Sequence, residues 1–200
     1  MQKIALAILL AAQMPILGSS EKIRHERCVW HTWSGNECSP EKIFYPETLE
    51  DVTIIIHDAL QKKIPVRFIG SGHSINNLVC TQGYLLNTDK FDRILEVDQK
   101  TGLVRVEGGI KLKNLYKQLA KNYNLALLNQ GFIKEQSIAG ALATGTHGTG
   151  KTGTMSDFVV SIELVDGAGN YHIISQNSNP ELLEAARVHL GTLGFIYAVT

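Results

Sequence analysis

Two glycine-rich stretches hold the groups whose types and spacing could do chemistry. In Val66-Arg67-Phe68-Ile69-Gly70-Ser71-Gly72-His73-Ser74 an apolar run ends in two closely spaced glycines, and a histidine follows at once. Glycine adopts φ > 0 without strain and has no Cβ, so backbone N–H groups in such a turn can approach a phosphate. The histidine is held beside whatever the turn binds. The second stretch runs from Ser137 to Gly150, where Ser137 can cap a short helix of small residues that lets a flat ligand or another element come close. Within it, Gly145 to Thr152 matches the P-loop pattern Gly-x-x-x-x-Gly-Lys-Thr, and Val159 to Asp166 resembles an apolar strand ending in a metal-holding Asp. A P-loop follows a buried strand and opens a helix. Here the pattern follows the helix-like Ile138 to Ala143, and Lys151 leads into Thr152-Gly153-Thr154, so nucleotide hydrolysis stands as the second reading. A dinucleotide fingerprint fails because Ile75 occupies the place of its third glycine. Ser71 and Ser74 lack the Gly-x-Ser-x-Gly elbow of a hydrolase. Neither Cys-x-x-Cys nor His-x-Glu-x-x-His occurs, which argues against structural zinc.

The elements that must position these loops are legible in the pattern. Thr48 with Asp51 three residues on, followed by Leu49, Val52, Ile55, Ile56, Ala59 and Leu60, predicts a capped amphipathic helix up to Lys63. Pro65 stops it, and the strand Val66 to Ile69 feeds the first glycine turn. Tyr84 to Asn87 and Ile94 to Val97 read as strands, and Thr101-Gly102 turns the chain into Leu103 to Val106. After Gly108-Gly109, Leu112 to Tyr123 reads as a second helix, with Lys111, Lys113, Lys117 and Lys121 as its solvated sides. Phe158 to Val165 and Tyr171 to Ile174 predict a hairpin, Pro180 opens a helix over Glu181 to Val188, and Phe195 to Thr200 begins a strand on which the chain stops. Residues 21–45, with Trp30 and Trp33, read as a lead-in arm lying on the body.

Two hundred residues, 44% hydrophobic, suffice for one core or two small lobes. Lys plus Arg and Asp plus Glu are 19 each, and no basic cluster points to nucleic acid. Residues 1–20 have the form of a signal peptide: Lys3, then apolar Ile4 to Ala12, then Gly18-Ser19-Ser20. Export is the expectation, with interfacial membrane association as the alternative. Cys28, Cys38 and Cys80 make an odd count; Cys28 with Cys38 is the expected disulfide, and three buried thiols the bland alternative.

The stretches Phe68 to Ser74, Ser137 to Gly150 and Ala186-Arg187-Val188-His189-Leu190-Gly191-Thr192-Leu193-Gly194 together resemble, in order and spacing, the sugar-lactone and alditol oxidases of the vanillyl-alcohol-oxidase flavoprotein superfamily. The likeness is strongest to L-gulono-1,4-lactone and D-arabinono-1,4-lactone oxidases and covers about residues 29–200. It implies an α+β fold, a two-lobed PCMH-type FAD-binding domain over residues 46–200, with a smaller lobe to about residue 90 and FAD between the lobes. By the same resemblance, Ile69, Gly70, Ser71, Gly72, His73 and Ser74 would hold the FAD pyrophosphate, with His73 bonded to the flavin 8α carbon. Ser137, Gly140, Thr144, Gly145, Thr146 and His147 match positions along the flavin and diphosphate, and Ile196 one beside the adenine. Gly131 falls where relatives carry a small residue next to the flavin, compatible with oxygen as acceptor. The implied substrate is an aldonolactone or sugar alcohol. Relatives continue into a substrate domain that supplies the acid/base groups, so no catalytic residue is expected here and lactone oxidation by this chain alone is expected to be poor. A flavin-binding module without catalysis is a further alternative. Without the resemblance, His73 reads as an ordinary turn histidine and His147 as a hydrogen-bonding one. His189 and Arg187 read as structural, and His25, His31, His57 and His172 carry no context.

Overall fold

In the computed structural model, which describes residues 18–200, the chain builds two larger sheets that share part of their core, and a small two-stranded hairpin. The expected leader, apart from Gly18 to Ser20, lies outside the described residues. In chain order the elements are β1 (His25–Glu26), β2 (Trp30–His31), β3 (Glu37–Cys38), β4 (Lys42–Phe44), α1 (Leu49–Lys62), β5 (Val66–Ile69), β6 (Tyr84–Asn87), β7 (Ile94–Asp98), β8 (Leu103–Glu107), α2 (Leu112–Gln118), α3 (Ile138–Ala143), β9 (Ser161–Val165), β10 (Tyr171–Ser175), α4 (Pro180–Arg187) and β11 (Phe195–Val199). Mixed helices and sheets of this kind are the α+β class. Among the described residues no helix is long and apolar enough to cross a membrane.

The first sheet has the order β1-β4-β6-β5, with β6 parallel to both β4 and β5. Parallel strands are covered on their faces, and Ile43, Phe44, Leu85 and Leu86 are all fully buried. α1 covers one face through Val52, Ile55, Ile56 and Ala59. Its start is fixed by a reciprocal cap: the Asp51 N–H donates to Thr48 Oγ1 at 3.1 Å, and the Thr48 N–H donates to the Asp51 carboxylate at 3.0 Å. Its end is fixed by Lys63 at φ 57° and by the proline two residues later. Residues 21–45, expected as an arm lying on the body, instead supply β1 and the inner strand β4. Three residues were too few to show a period, and burial on both faces removed the alternation that marks a strand.

The second sheet is antiparallel, in the order β10-β9-β11-β8-β7. Its one face packs on α2, α3 and α4 through Val106, Ile162, Leu164, Ile196 and Val199. Its other face sends Val165 and Phe195 into the cluster of α1, Phe44 and Tyr84. β11 thus serves two cores, Phe195 facing one and Ile196 and Val199 the other, and a bulge between Ile196 and Ala198 lets residues three apart share a face. β11, expected as the opening of an interrupted element, is paired on both sides, to β9 and to β8. One expected element is shorter than the pattern suggested: Ser156–Phe158 is a 3₁₀ turn, so the strand begins at Ser161. The second helix spans the expected Leu112 to Tyr123, passing from α to π geometry over Leu119–Tyr123.

The expected Cys28–Cys38 bridge is corrected: the disulfide joins Cys38 to Cys80, with Cα atoms 5.2 Å apart, and Cys28 is an exposed free thiol. The antiparallel pairing of β2 with β3 places Trp30, not Cys28, opposite Cys38. Closeness in sequence was the wrong guide, because Cys80 reaches Cys38 through the tertiary fold.

Candidate functional site

β5 delivers the first glycine loop to the second. A Cβ on Gly70 would lie 2.2 Å from Ser137 Oγ and 2.9 Å from Ser137 Cβ, so only glycine fits against that cap. Ser137 Oγ in turn accepts the Gly140 N–H at 3.4 Å, which starts α3, and Ser71 Oγ donates to the Glu135 carbonyl. The two stretches that stood 60 residues apart in the sequence form one wall. Gly72 has φ +66°, and a Cβ there would meet the Trp30 ring at 2.6 Å.

Between the loops lies a cavity of about 460 Å³, in the range of small-molecule and cofactor sites. Of the residues named from the sequence, Gly70, Ser71, Gly72, His73, Ser74, Ser137, Gly140 and Thr144 line it. The hairpin of β2 and β3 engages the outer side of the loop. The Trp33 N–H donates to the Gly72 carbonyl at 2.9 Å, Ser34 Oγ to the Ser74 carbonyl at 3.0 Å, and Asn36 Nδ2 to the Ile75 carbonyl at 2.8 Å. With those carbonyls held, the backbone N–H groups of Ser71 to Ile75 find no acceptor among the described residues. A row of N–H groups without acceptors beside a cavity is an anion-binding arrangement. Among the described residues, Arg67 is the one permanently charged side chain on the wall, and no carboxylate lines it.

His73 is the second unmet group. Its Nδ1 is buried without a hydrogen-bond partner, and its ring lies 5.4 Å from that of Trp33, tilted by 59°. An unpaired buried polar atom costs about 1–3 kcal/mol, which a ligand in the cavity can return.

The other expected residues sit around this wall and not on it. Ile69 is buried with Ile43 and Leu85 under the loop. Gly131 and Thr146 touch each other: a Cβ on Gly131 would meet Thr146 Cγ2 at 2.5 Å. Gln136 Nε2 donates to Thr146 Oγ1 at 3.2 Å and joins this pair to the cavity. Gly145 turns the chain at φ +66° after α3. His147 is exposed, with Nδ1 3.0 Å from the Gly148 carbonyl. Ile196 is buried in β11, and its carbonyl would be 2.4 Å from a Cβ on Gly108.

Arg67, Gln136, Leu190 and Gly191 also line the cavity but were not singled out beforehand. The last two lie in the third stretch quoted for the resemblance, where a glycine just past a helix was the available signal. Leu190 (φ 52°) and Gly191 (φ 74°) form a left-handed turn, with the Leu190 N–H on the Ala143 carbonyl and the Gly191 N–H on His189 Nδ1 at 3.1 Å. His189 is buried, and burial pushes its pKa down to about 4, which keeps Nδ1 a neutral acceptor.

The P-loop reading is corrected by the same geometry. Gly145 to Thr152 leaves the end of α3, opens no helix, and is pinned by buried Asn129, which accepts the Gly148 N–H at 2.8 Å and donates to the Gly153 carbonyl. Lys151 is exposed.

The FAD binding domain family matches residues 40–175. The chain belongs to this FAD-binding family. Over 174 residues it is 42% identical to an L-gulono-1,4-lactone dehydrogenase of Mycobacterium tuberculosis, a match covering 86% of this chain and 40% of that protein. It is 40% identical over 164 residues to an L-gulonolactone oxidase of Bos taurus (82% and 37%), and 34% identical over 178 residues to a D-arabinono-1,4-lactone oxidase of Candida glabrata (86% and 34%). The chain spans about two-fifths or less of the length of these relatives. FAD is accordingly the ligand of the domain, and the residues fit it: N–H donors without acceptors for the diphosphate, Arg67 for its charge, and a close approach of the two loops that the missing Cβ of Gly70 allows.

Proposed function

We propose that this chain is the flavin-holding part of an oxidoreductase that acts on an aldonolactone or sugar alcohol, with the flavin bonded to His73. One observation carries the reading: His73 Nδ1 is buried and unpartnered at the end of the loop whose N–H groups stand ready for the diphosphate. The names of the relatives support the substrate class. When bound, FAD supplies a two-electron acceptor for a hydride from a substrate C–H. The chain's own residues fix that acceptor in place. Ser71 to Ile75 orient the diphosphate, Arg67 offsets its charge, and Ser137 with Gly140 sets how closely the second loop approaches. Oxygen as final acceptor is part of the proposal and rests on the glycine at 131. FAD lying between a small lobe, to about residue 90, and a larger one agrees with a cavity lined by β5 and by the segment around α3. Export is proposed from the leader pattern, and the disulfide suits an oxidising compartment.

The test is flavin fluorescence on the denatured protein in a gel, followed by the His73→Ala variant. A fluorescent band that disappears on substitution is expected. Fluorescence that survives it would rule out His73 as the link, and the absence of flavin in both, with no FAD binding to the folded chain, would remove the reading.

A further inference from the structure

The hairpin of β2 and β3 precedes residues 40–175, so the family match assigns it no role. It contains only two residue pairs, Trp30↔Cys38 and His31↔Glu37. A hairpin this short has little stability of its own in water. Yet it makes four hydrogen bonds to the carbonyls of Gly72, Ser74 and Ile75, and Trp33 lies against His73 while two-thirds exposed (68%). What anchors it is Cys38, buried at its base and bonded to Cys80. Cys80 follows directly on the 3₁₀ turn Asn77–Val79, and Leu78 and Val79 of that turn line the cavity. The disulfide therefore ties the base of the hairpin to the far end of the loop that the hairpin grips.

We propose that the Trp30–Cys38 hairpin is a clamp that keeps the cavity loop in its binding shape, and that the redox state of the Cys38–Cys80 disulfide sets its grip. Trp33 is a positioning residue in this device. A dithiol reductant releases the clamp: the S–S bond breaks, two electrons and two protons pass to the cysteines to give two thiols, and the dithiol closes to its own disulfide. The consequence for flavin rests on the function proposed above; the clamp itself does not.

Hydrogen exchange on the full chain without added flavin tests the clamp. Denatured without reductant, the chain should show one reactive thiol, that of Cys28, and after dithiol treatment three. Reduction should speed exchange at the amides of Trp33, Leu78 and Cys80 about tenfold through local opening, while those of Tyr84–Asn87 change only by the separate factor that the fall in global stability sets. The Cys38→Ser/Cys80→Ser variant should match the reduced protein, Trp33→Ala should loosen the same amides with the bridge intact, and Cys28→Ser should behave as the parent. In the His73→Ala chain, where flavin binds reversibly, reduction should weaken FAD affinity about tenfold, as loss of a preformed site does. Unchanged exchange at Trp33, Leu78 and Cys80, an equal rise across Tyr84–Asn87, or a bridge involving Cys28 would overturn the proposal. Faster exchange with no FAD binding in either redox state would leave the clamp standing and remove the flavin reading.

Discussion

Gly70→Ala probes the joint between the two glycine loops. Gly70 is not at positive φ, so the backbone tolerates alanine and the contact alone is tested. The new methyl would sit 2.2 Å from Ser137 Oγ and 2.9 Å from Ser137 Cβ. Rotating the hydroxyl away relieves the first clash but not the second, so the loop or the start of α3 must shift. Overpacking of this kind costs about 1–3 kcal/mol, and loss of the Ser137 cap adds about 1 kcal/mol. The sum, about 2–4 kcal/mol, is a large part of a typical domain's stability and corresponds to a fall of about 5–15 °C in Tm for a domain of this size. Urea unfolding of the single variants, and of the double variant with Ser137→Gly, completes a cycle. The second change removes both clashing atoms, so the double variant should recover at least about 1 kcal/mol over the sum of the singles. Additivity within about 0.5 kcal/mol would refute the claim that the two loops are in contact.

Removing the Cys38–Cys80 bridge, which spans 42 residues, should lower stability by about 4 kcal/mol on loop-entropy grounds, read by urea unfolding of the serine variants. Burial pushes the His189 pKa down to about 4 from its ordinary 6.5, so the unfolded chain takes up its proton first. Its contribution to stability should be constant above pH 6.5 and decline as pH falls toward 4, by up to about 3 kcal/mol, and His189→Gln should flatten the pH dependence in that window. Glu107 is fully buried and paired in a bidentate manner with the largely exposed Arg93 guanidinium, so Arg93→Ala should lower stability in thermal or urea unfolding by leaving that carboxylate without its cation. Thr48→Ala should cost about 1 kcal/mol by loss of the α1 cap, with exchange rising first in the opening turn of that helix.

The sequence displayed its local chemistry well. The cap at Thr48 and Asp51, the stop at Pro65 and the turn at Gly70 to Gly72 all depend on neighbours within a few residues, and each is where the pattern put it. The cavity wall was legible at Gly70 to Ser74 and at Ser137, Gly140 and Thr144, though not at Gly191. It was not legible at Arg67 or Gln136, whose types are common on any surface and whose role comes from facing the cavity. The disulfide was misread because the approach of Cys80 to Cys38 is set by β5, β6 and the loop between them, none of which sequence spacing measures. β4 was missed for a related reason: three residues buried on both faces carry no alternation.

The two-faced strand β11 also dictates an order of events during folding. Before it arrives, the second sheet exists only as two separate hairpins, β7–β8 and β9–β10, each with an unpaired inner edge. Phe195 to Val199 closes both edges at once, against partners at Val106 and Glu107 that emerged about 90 residues earlier, and it completes the cluster around α1 in the same step. Non-local pairing of this kind is slow, and open edges are sites of association between chains. The polypeptide is thus most exposed to aggregation in the interval between finishing β10 and docking five residues of β11, and a chaperone that shields strand edges would act there.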